Sequence, residues 1–172
     1  GQLGRQPMRI VTPCGGGGLA AGLALACPEA AITLVEPDGW DDMGRSLRGG
    51  AIVPVGPDAP PTLCDALQTP RVSPITFAIL KARGVQAVVV SEGEVREAVR
   101  FAWNTHQLTV EPGGAVALAA LLFWVTLSEG VAQPPAPAQR VDAHVKGEKL
   151  HGGWIIPILA LAAVIAGILV LT

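Results

Sequence analysis

Positive charge is in short supply: 12 lysines and arginines stand against 14 carboxylates, a formal net charge of −2 over 172 residues. That balance offers no basic face to a phosphate backbone, so nucleic acid is not expected as a partner. Cysteine is as sparse. Cys14, Cys27 and Cys64 form no CxxC and no metal-like grouping with His106, His144 and His151. All three read as small buried hydrophobes, and an odd, scattered set agrees with a reducing compartment. No Gly-Lys-Ser/Thr follows a glycine run, which removes the P-loop. No internal repeat of about twenty residues or more is present.

A further absence is local. Residues Trp154 to Thr172 (WIIPILALAAVIAGILVLT) carry no charged side chain. As a helix this run would be about 28 Å long, close to the hydrocarbon thickness of a bilayer. A buried core helix is the alternative, but such helices usually keep a polar face and this run has none. The expectation is one C-terminal transmembrane helix over 154–172 in the lipid bilayer. Lys146 and Lys149 precede it, which places the N-terminal part in the cytoplasm by the positive-inside rule. Trp154 suits the interfacial belt, and Ala160, Ala163 and Gly167 offer a small-residue face to another membrane subunit. Before the run, residues 128–153 include PPAPAQ and hardly any large apolar side chain, and read as a flexible Pro-rich linker.

The remaining residues, 1–127, carry α/β patterning. Residues 8–13 (MRIVTP), 32–36 (ITLVE) and 85–90 (VQAVVV) are short β-branched runs, and GGLAAGLALACPEA between the first two reads as a helix closed by Pro28. Strand, glycine loop, helix and strand in about thirty residues make a βαβ crossover and imply a parallel sheet with flanking helices. Ser91 and Glu94 form a capping box for a helix whose apolar stripe is Val95, Val99 and Trp103. Residues 49–63 read as loop with one short strand. VEPGGAVALAALL (110–122) starts a further small-residue helix behind a second glycine turn.

The glycine loop in TPCGGGGLAAG raises the functional question. Successive glycine N–H groups opening onto a helix N-terminus form an anion nest, and phosphate is its commonest occupant. Gly15-x-Gly17-x-x-Ala20 with Glu36 at the end of the next strand also fits a dinucleotide fingerprint, and a ligand-free tight turn is the third reading.

VTPCGGGGLAAGLALACPEA, VEPDGWDDMGRSLRGG, DALQTPRVSPITFAIL, VSEGEVREAVRFAW and VEPGGAVALAALL, in this order, resemble the pyridoxal-phosphate-dependent threonine/serine dehydratases and serine racemases of fold type II, over about residues 8–122. The resemblance implies that Gly15, Gly16, Gly17 and Gly18, with the Leu19 amide, hold the phosphate of pyridoxal phosphate. It implies that Asp65 and Ala66 approach the pyridine ring and that Glu111 begins a turn near the cofactor. Glu36, the carbonyl of Trp40, and Asp42 match a divalent-cation site, suited to Mg²⁺ or Ca²⁺; alternatively Asp41 and Asp42 merely start the helix DDMGRSLR. Trp40, Phe101 and Trp103 read as packing residues.

The family's chemistry is β-elimination, and it uses a lysine that carries the cofactor and moves the α-proton. That lysine belongs to a serine-phenylalanine-lysine motif upstream of the glycine loop. Lys81, Lys146 and Lys149 are the only lysines here, and none sits in such a motif. The expectation is a partial dehydratase-like sheet, inactive alone in ammonia-lyase chemistry and in need of a partner. The alternative is a single-span accessory subunit of a larger membrane complex, with its C-terminal helix as the working part.

Overall fold

The computed structural model describes residues 7–128 and 169–171. Three parallel strands form the sheet: β1 (Arg9–Pro13), β2 (Ala31–Pro37) and β3 (Gln86–Val90), with β2 in the middle and pairing both neighbours. Helix α1 (Gly18–Ala26) crosses from β1 to β2. Helices α2 (Asp42–Gly49) and α3 (Pro74–Ala82) lie between β2 and β3, with a 3₁₀ turn at Asp65–Leu67. Helices α4 (Glu92–His106) and α5 (Pro112–Ser128) follow β3.

Period-2 alternation divides the strands between two apolar layers. Ile10, Ile32 and Leu34 face α1, α2 and α3, where Met43, Val72 and Leu80 are buried with them. Val11, Val35 and Val90 face the opposite way, against Val95, Ala98, Val116 and Ala120 of α4 and α5. Small residues on the inner faces of α1 (Ala20, Ala21, Ala24) and α5 (Ala115, Ala119) bring each helix close to its neighbours.

Most expected elements are present, and some details differ. The loop over 49–63 contains no strand. On α4 the buried stripe runs through Val95, Ala98 and Ala102, while Trp103 is 53% exposed and is not a packing residue. The close packing of α4 on α5 explains this, because alanine and valine side chains fit between the two helices where an indole would not. Cys14 and Cys64 are buried as expected, whereas Cys27, at the end of α1, is only half-buried.

The expected linker (128–153) and nearly all of the expected transmembrane helix (154–172) lie outside the described residues. The exception is Leu169–Leu171, which forms a fourth strand, β4, antiparallel to β1 and not the end of a helix. The edge of β1 presents N–H and C=O groups that require partners, and an extended segment supplies them. Among the described residues no helix is long and apolar enough to cross a membrane.

Candidate functional site

β1 ends at Pro13, and the chain turns through Cys14 to Gly17 into α1. Gly17 is the N-cap in the left-handed region, φ 82°, and no side chain caps the helix. The first intrahelical bond runs from the Ala21 N–H to the Gly17 carbonyl at 2.9 Å, so the amides of Gly18, Leu19 and Ala20 have no acceptor within the helix. They open onto a cavity of about 290 Å³ lined by the whole of residues 13–20, by Ala66 and Leu67 of the 3₁₀ turn, and by Glu111, Gly113 and Gly114. The last three belong to the start of α5, so two helix N-termini border one space and both bring a positive dipole end to it.

The glycines of the run differ in what a side chain would meet, and at Gly16 a Cβ would make only an ordinary contact with Thr69 at 3.7 Å. A Cβ on Gly15 would come within 3.2 Å of the Leu67 backbone, and one on Gly17 within 2.6 Å of the Met43 side chain and 3.1 Å of Thr76. Packing and a positive φ therefore explain those two. A Cβ on Gly18 meets nothing within 4 Å. No described atom fills that space, which leaves room for an anion at the helix N-terminus.

Of the residues expected around a cofactor, Gly15, Gly16, Gly17, Gly18, Leu19 and Glu111 all border the cavity. Asp65 does not: its carboxylate turns back and accepts the N–H of Ala66 at 2.8 Å. Gly113 and Gly114 belong to the turn after Glu111 that the resemblance places near the cofactor, whereas Leu67 is an addition to this wall. Their approach depends on contacts between distant segments, and only the second glycine pair hinted at it. Lys81 is remote from the cavity; its Nζ donates to the Gly50 carbonyl at 2.7 Å and lies 5.5 Å from the centre of the Phe77 ring. Among the described residues no lysine borders the cavity.

Glu36 is fully buried, and its two carboxylate oxygens accept the N–H groups of Met43 (2.9 Å) and Gly44 (2.8 Å) in the first turn of α2. It caps that helix from the end of β2. A side chain so enclosed offers nothing to a ribose hydroxyl, which removes the dinucleotide reading. Asp41 does not cap α2 with its side chain; it pairs with Arg45 and Arg48, each at 3.2 Å. Asp42 is 1% exposed, and its Oδ2 has no hydrogen-bond partner among the described residues. Burial pushes the Glu36 carboxyl up to about 8, although the Gly44 and Met43 amides oppose the shift. Burial likewise raises Asp42 to about 6. Burial, with Glu36 and Asp42 nearby, holds the Cys14 thiol protonated well above its usual range, so this cysteine in the cavity wall is inert. Among the described residues no cluster of three or more His, Cys, Asp or Glu side chains is gathered for a metal.

A parallel α/β sheet with a glycine-rich strand-to-helix turn and an uncapped helix N-terminus defines an α/β protein with a candidate anion site. The particular family follows from comparison: the pyridoxal-phosphate dependent enzyme family matches residues 1–132, and the chain belongs to that family. A serine racemase of Dictyostelium discoideum is 37% identical over 117 residues, covering 66% of this chain and 36% of that protein. An L-threo-3-hydroxyaspartate ammonia-lyase of a Pseudomonas species is 37% identical over 111 residues, 62% of this chain and 34% of the relative. The crystal structure of a T.th. threonine deaminase superposes with a TM-score of 0.64 at 34% identity, covering 77% of this chain and 48% of that one. The chain thus spans about a third of the length of the curated relatives it matches.

Proposed function

We propose that this chain provides the phosphate-holding part of a pyridoxal-phosphate site of the dehydratase and racemase type, acting on small hydroxylated amino acids such as serine or threonine. The single observation that carries the reading is the open space in front of Gly18, beside helix amides that have no acceptor among the described residues. When bound, pyridoxal phosphate supplies the electron sink for chemistry at the α-carbon of an amino acid. The chain's own contribution is binding and orientation. Gly15 to Gly18 and the Leu19 amide hold the phosphate, Ala66 and Leu67 form a side wall, and Glu111 stands at the mouth of the second helix. Proton removal at the α-carbon needs a lysine that the described residues do not bring to the cavity, so elimination by this chain alone is not expected.

A divalent cation, Mg²⁺ or Ca²⁺, at Glu36, the Trp40 carbonyl and Asp42 belongs to the same proposal. The buried, unpartnered Oδ2 of Asp42 fits it, whereas both oxygens of Glu36 are engaged by α2 amides and would have to accept the cation as well. Anchoring of residues 154–172 in the bilayer, with the rest in the cytoplasm, is proposed from composition alone, and it would require Leu169–Leu171 to leave the edge of β1.

Ligand titration tests the phosphate site. The full chain should bind pyridoxal phosphate and inorganic phosphate and bind pyridoxal, which lacks the phosphate, far more weakly. A hydrogen bond to a charged group is worth about 1.5–3 kcal/mol, so Gly18→Ala, which pushes the phosphate off its donors, should weaken binding about tenfold or more. The melting temperature of that variant should not fall, because the added methyl meets no protein atom. Equal affinity for pyridoxal and its phosphate would overturn the reading.

A further inference from the structure

The glycine loop is open in front and held from behind. Thr76, in the first turn of α3, places its hydroxyl 2.8 Å from the carbonyl oxygen of Gly16 and 3.0 Å from that of Ser73. A hydroxyl has one proton to give. The Ser73 carbonyl already accepts the Phe77 N–H at 2.9 Å, whereas the Gly16 carbonyl has no other partner among the described residues. The need for a donor is therefore at Gly16.

The peptide joining Gly16 to Gly17 is trans, so the N–H of Gly17 points opposite to the carbonyl of Gly16. With that carbonyl tied to α3, the amide faces away from α3; Gly17 and Gly18 both border the cavity. A run of four glycines has no side chain of its own to stop this peptide from turning over, and a flip would present a carbonyl to an anion. Met43, whose methyl lies against Gly17, blocks movement of the α-carbon but cannot choose the direction of the peptide dipole.

We propose that Thr76 is a positioning residue: its hydroxyl fixes the Gly16–Gly17 peptide with the N–H toward the cavity and so adds the Gly17 amide to the phosphate donors. Thr76 itself does not touch the ligand. The assignment rests on the phosphate-site reading given above, and the two fail separately.

Thr76→Val keeps the shape and removes the hydroxyl; Thr76→Ser keeps the hydroxyl and removes the methyl. Loss of one donor to a phosphate should weaken binding of pyridoxal phosphate and of inorganic phosphate by about tenfold in Thr76→Val. Affinity for pyridoxal should be unchanged, and Thr76→Ser should bind as the native chain does. If the valine variant does not fold, Thr76→Ala is measured in its place with the same expectation. Undiminished phosphate binding in a folded Thr76→Val or Thr76→Ala, or a serine variant as weak as the valine one, would overturn the role of Thr76 and leave the site reading standing. A native chain that binds neither phosphate ligand would remove both.

Discussion

Single residues decide what the acidic corner beside the glycine loop can do. Glu36 sits at the end of a strand, where its spacing from Gly15 suggests a ribose contact, yet its carboxylate turns inward and takes two backbone amides. Burial raises its pKa to about 8, and that of Asp42 to about 6. The sign follows from linkage: a carboxyl whose folded pKa is raised favours the protonated native state, so its contribution is complete below the unfolded pKa and disappears as pH rises through the folded value. Without a divalent cation, stability should decline as pH rises from about 5 to about 8. Glu36→Gln should flatten that slope, although it leaves one amide unpaired at a cost of about 1–3 kcal/mol. Urea midpoints at both ends of the range measure it, and parallel slopes in the two proteins would refute the assignment. Mg²⁺ or Ca²⁺ should restore stability at the alkaline end if Asp42 Oδ2 takes a cation.

At the scale of elements, the ends of the helices differ according to their roles. Helix α4 is closed by a full capping box: the Ser91 hydroxyl accepts the Glu94 N–H at 3.3 Å, and the Glu94 carboxylate accepts the Ser91 N–H at 2.6 Å. Helix α1 has no such cap and leaves its donors free at the cavity. Ser91→Ala should therefore lower stability by about 1 kcal/mol, read by urea or thermal unfolding, and should leave phosphate affinity unchanged. An equal substitution cannot be made at the α1 cap without moving Met43 and Thr76, since Gly17 is held between them. Helix α2 is intermediate, because its donors are satisfied by Glu36 from a neighbouring strand.

For the whole molecule, the sheet has three parallel strands and one short antiparallel addition. The relatives bring about twice or three times as much chain to the same fold. A cavity bordered by one loop, one turn and the start of one helix is a partial enclosure, and among the described residues no lysine is in its walls. The chain alone should release no keto acid from serine or threonine; release by purified protein would contradict the proposed division of labour. Fractionation tests the proposed anchor against the β1–β4 pairing: an anchored full chain should sediment with membranes and need detergent for release, and residues 1–128 should not. If association with a multisubunit complex survived deletion of 1–125, the accessory-subunit alternative would replace the phosphate-site reading.

Legibility followed the range of the interaction. Local chemistry was readable: the capping box at Ser91, the β-branched runs of the three parallel strands, the helix started by the glycine loop, and the five motifs that resemble the dehydratases all depend on residues close together in the chain. The buried stripe of α4 was less so, because whether Trp103 or Ala102 faces inward depends on how closely α5 approaches.

What the sequence alone determined is the glycine turn that starts α1, a candidate anion site, and the family, since the strand, the glycine run and the helix that follow one another are local in the chain. Only the tertiary structure decided the rest. It turned Glu36 onto α2, directed Asp65 away from the cavity and removed Lys81 from it, and brought Thr76 behind Gly16, 60 residues away. Backbone geometry is set by neighbours in the chain, whereas the direction in which a charged or polar side chain is satisfied is set by whichever donors packing brings near.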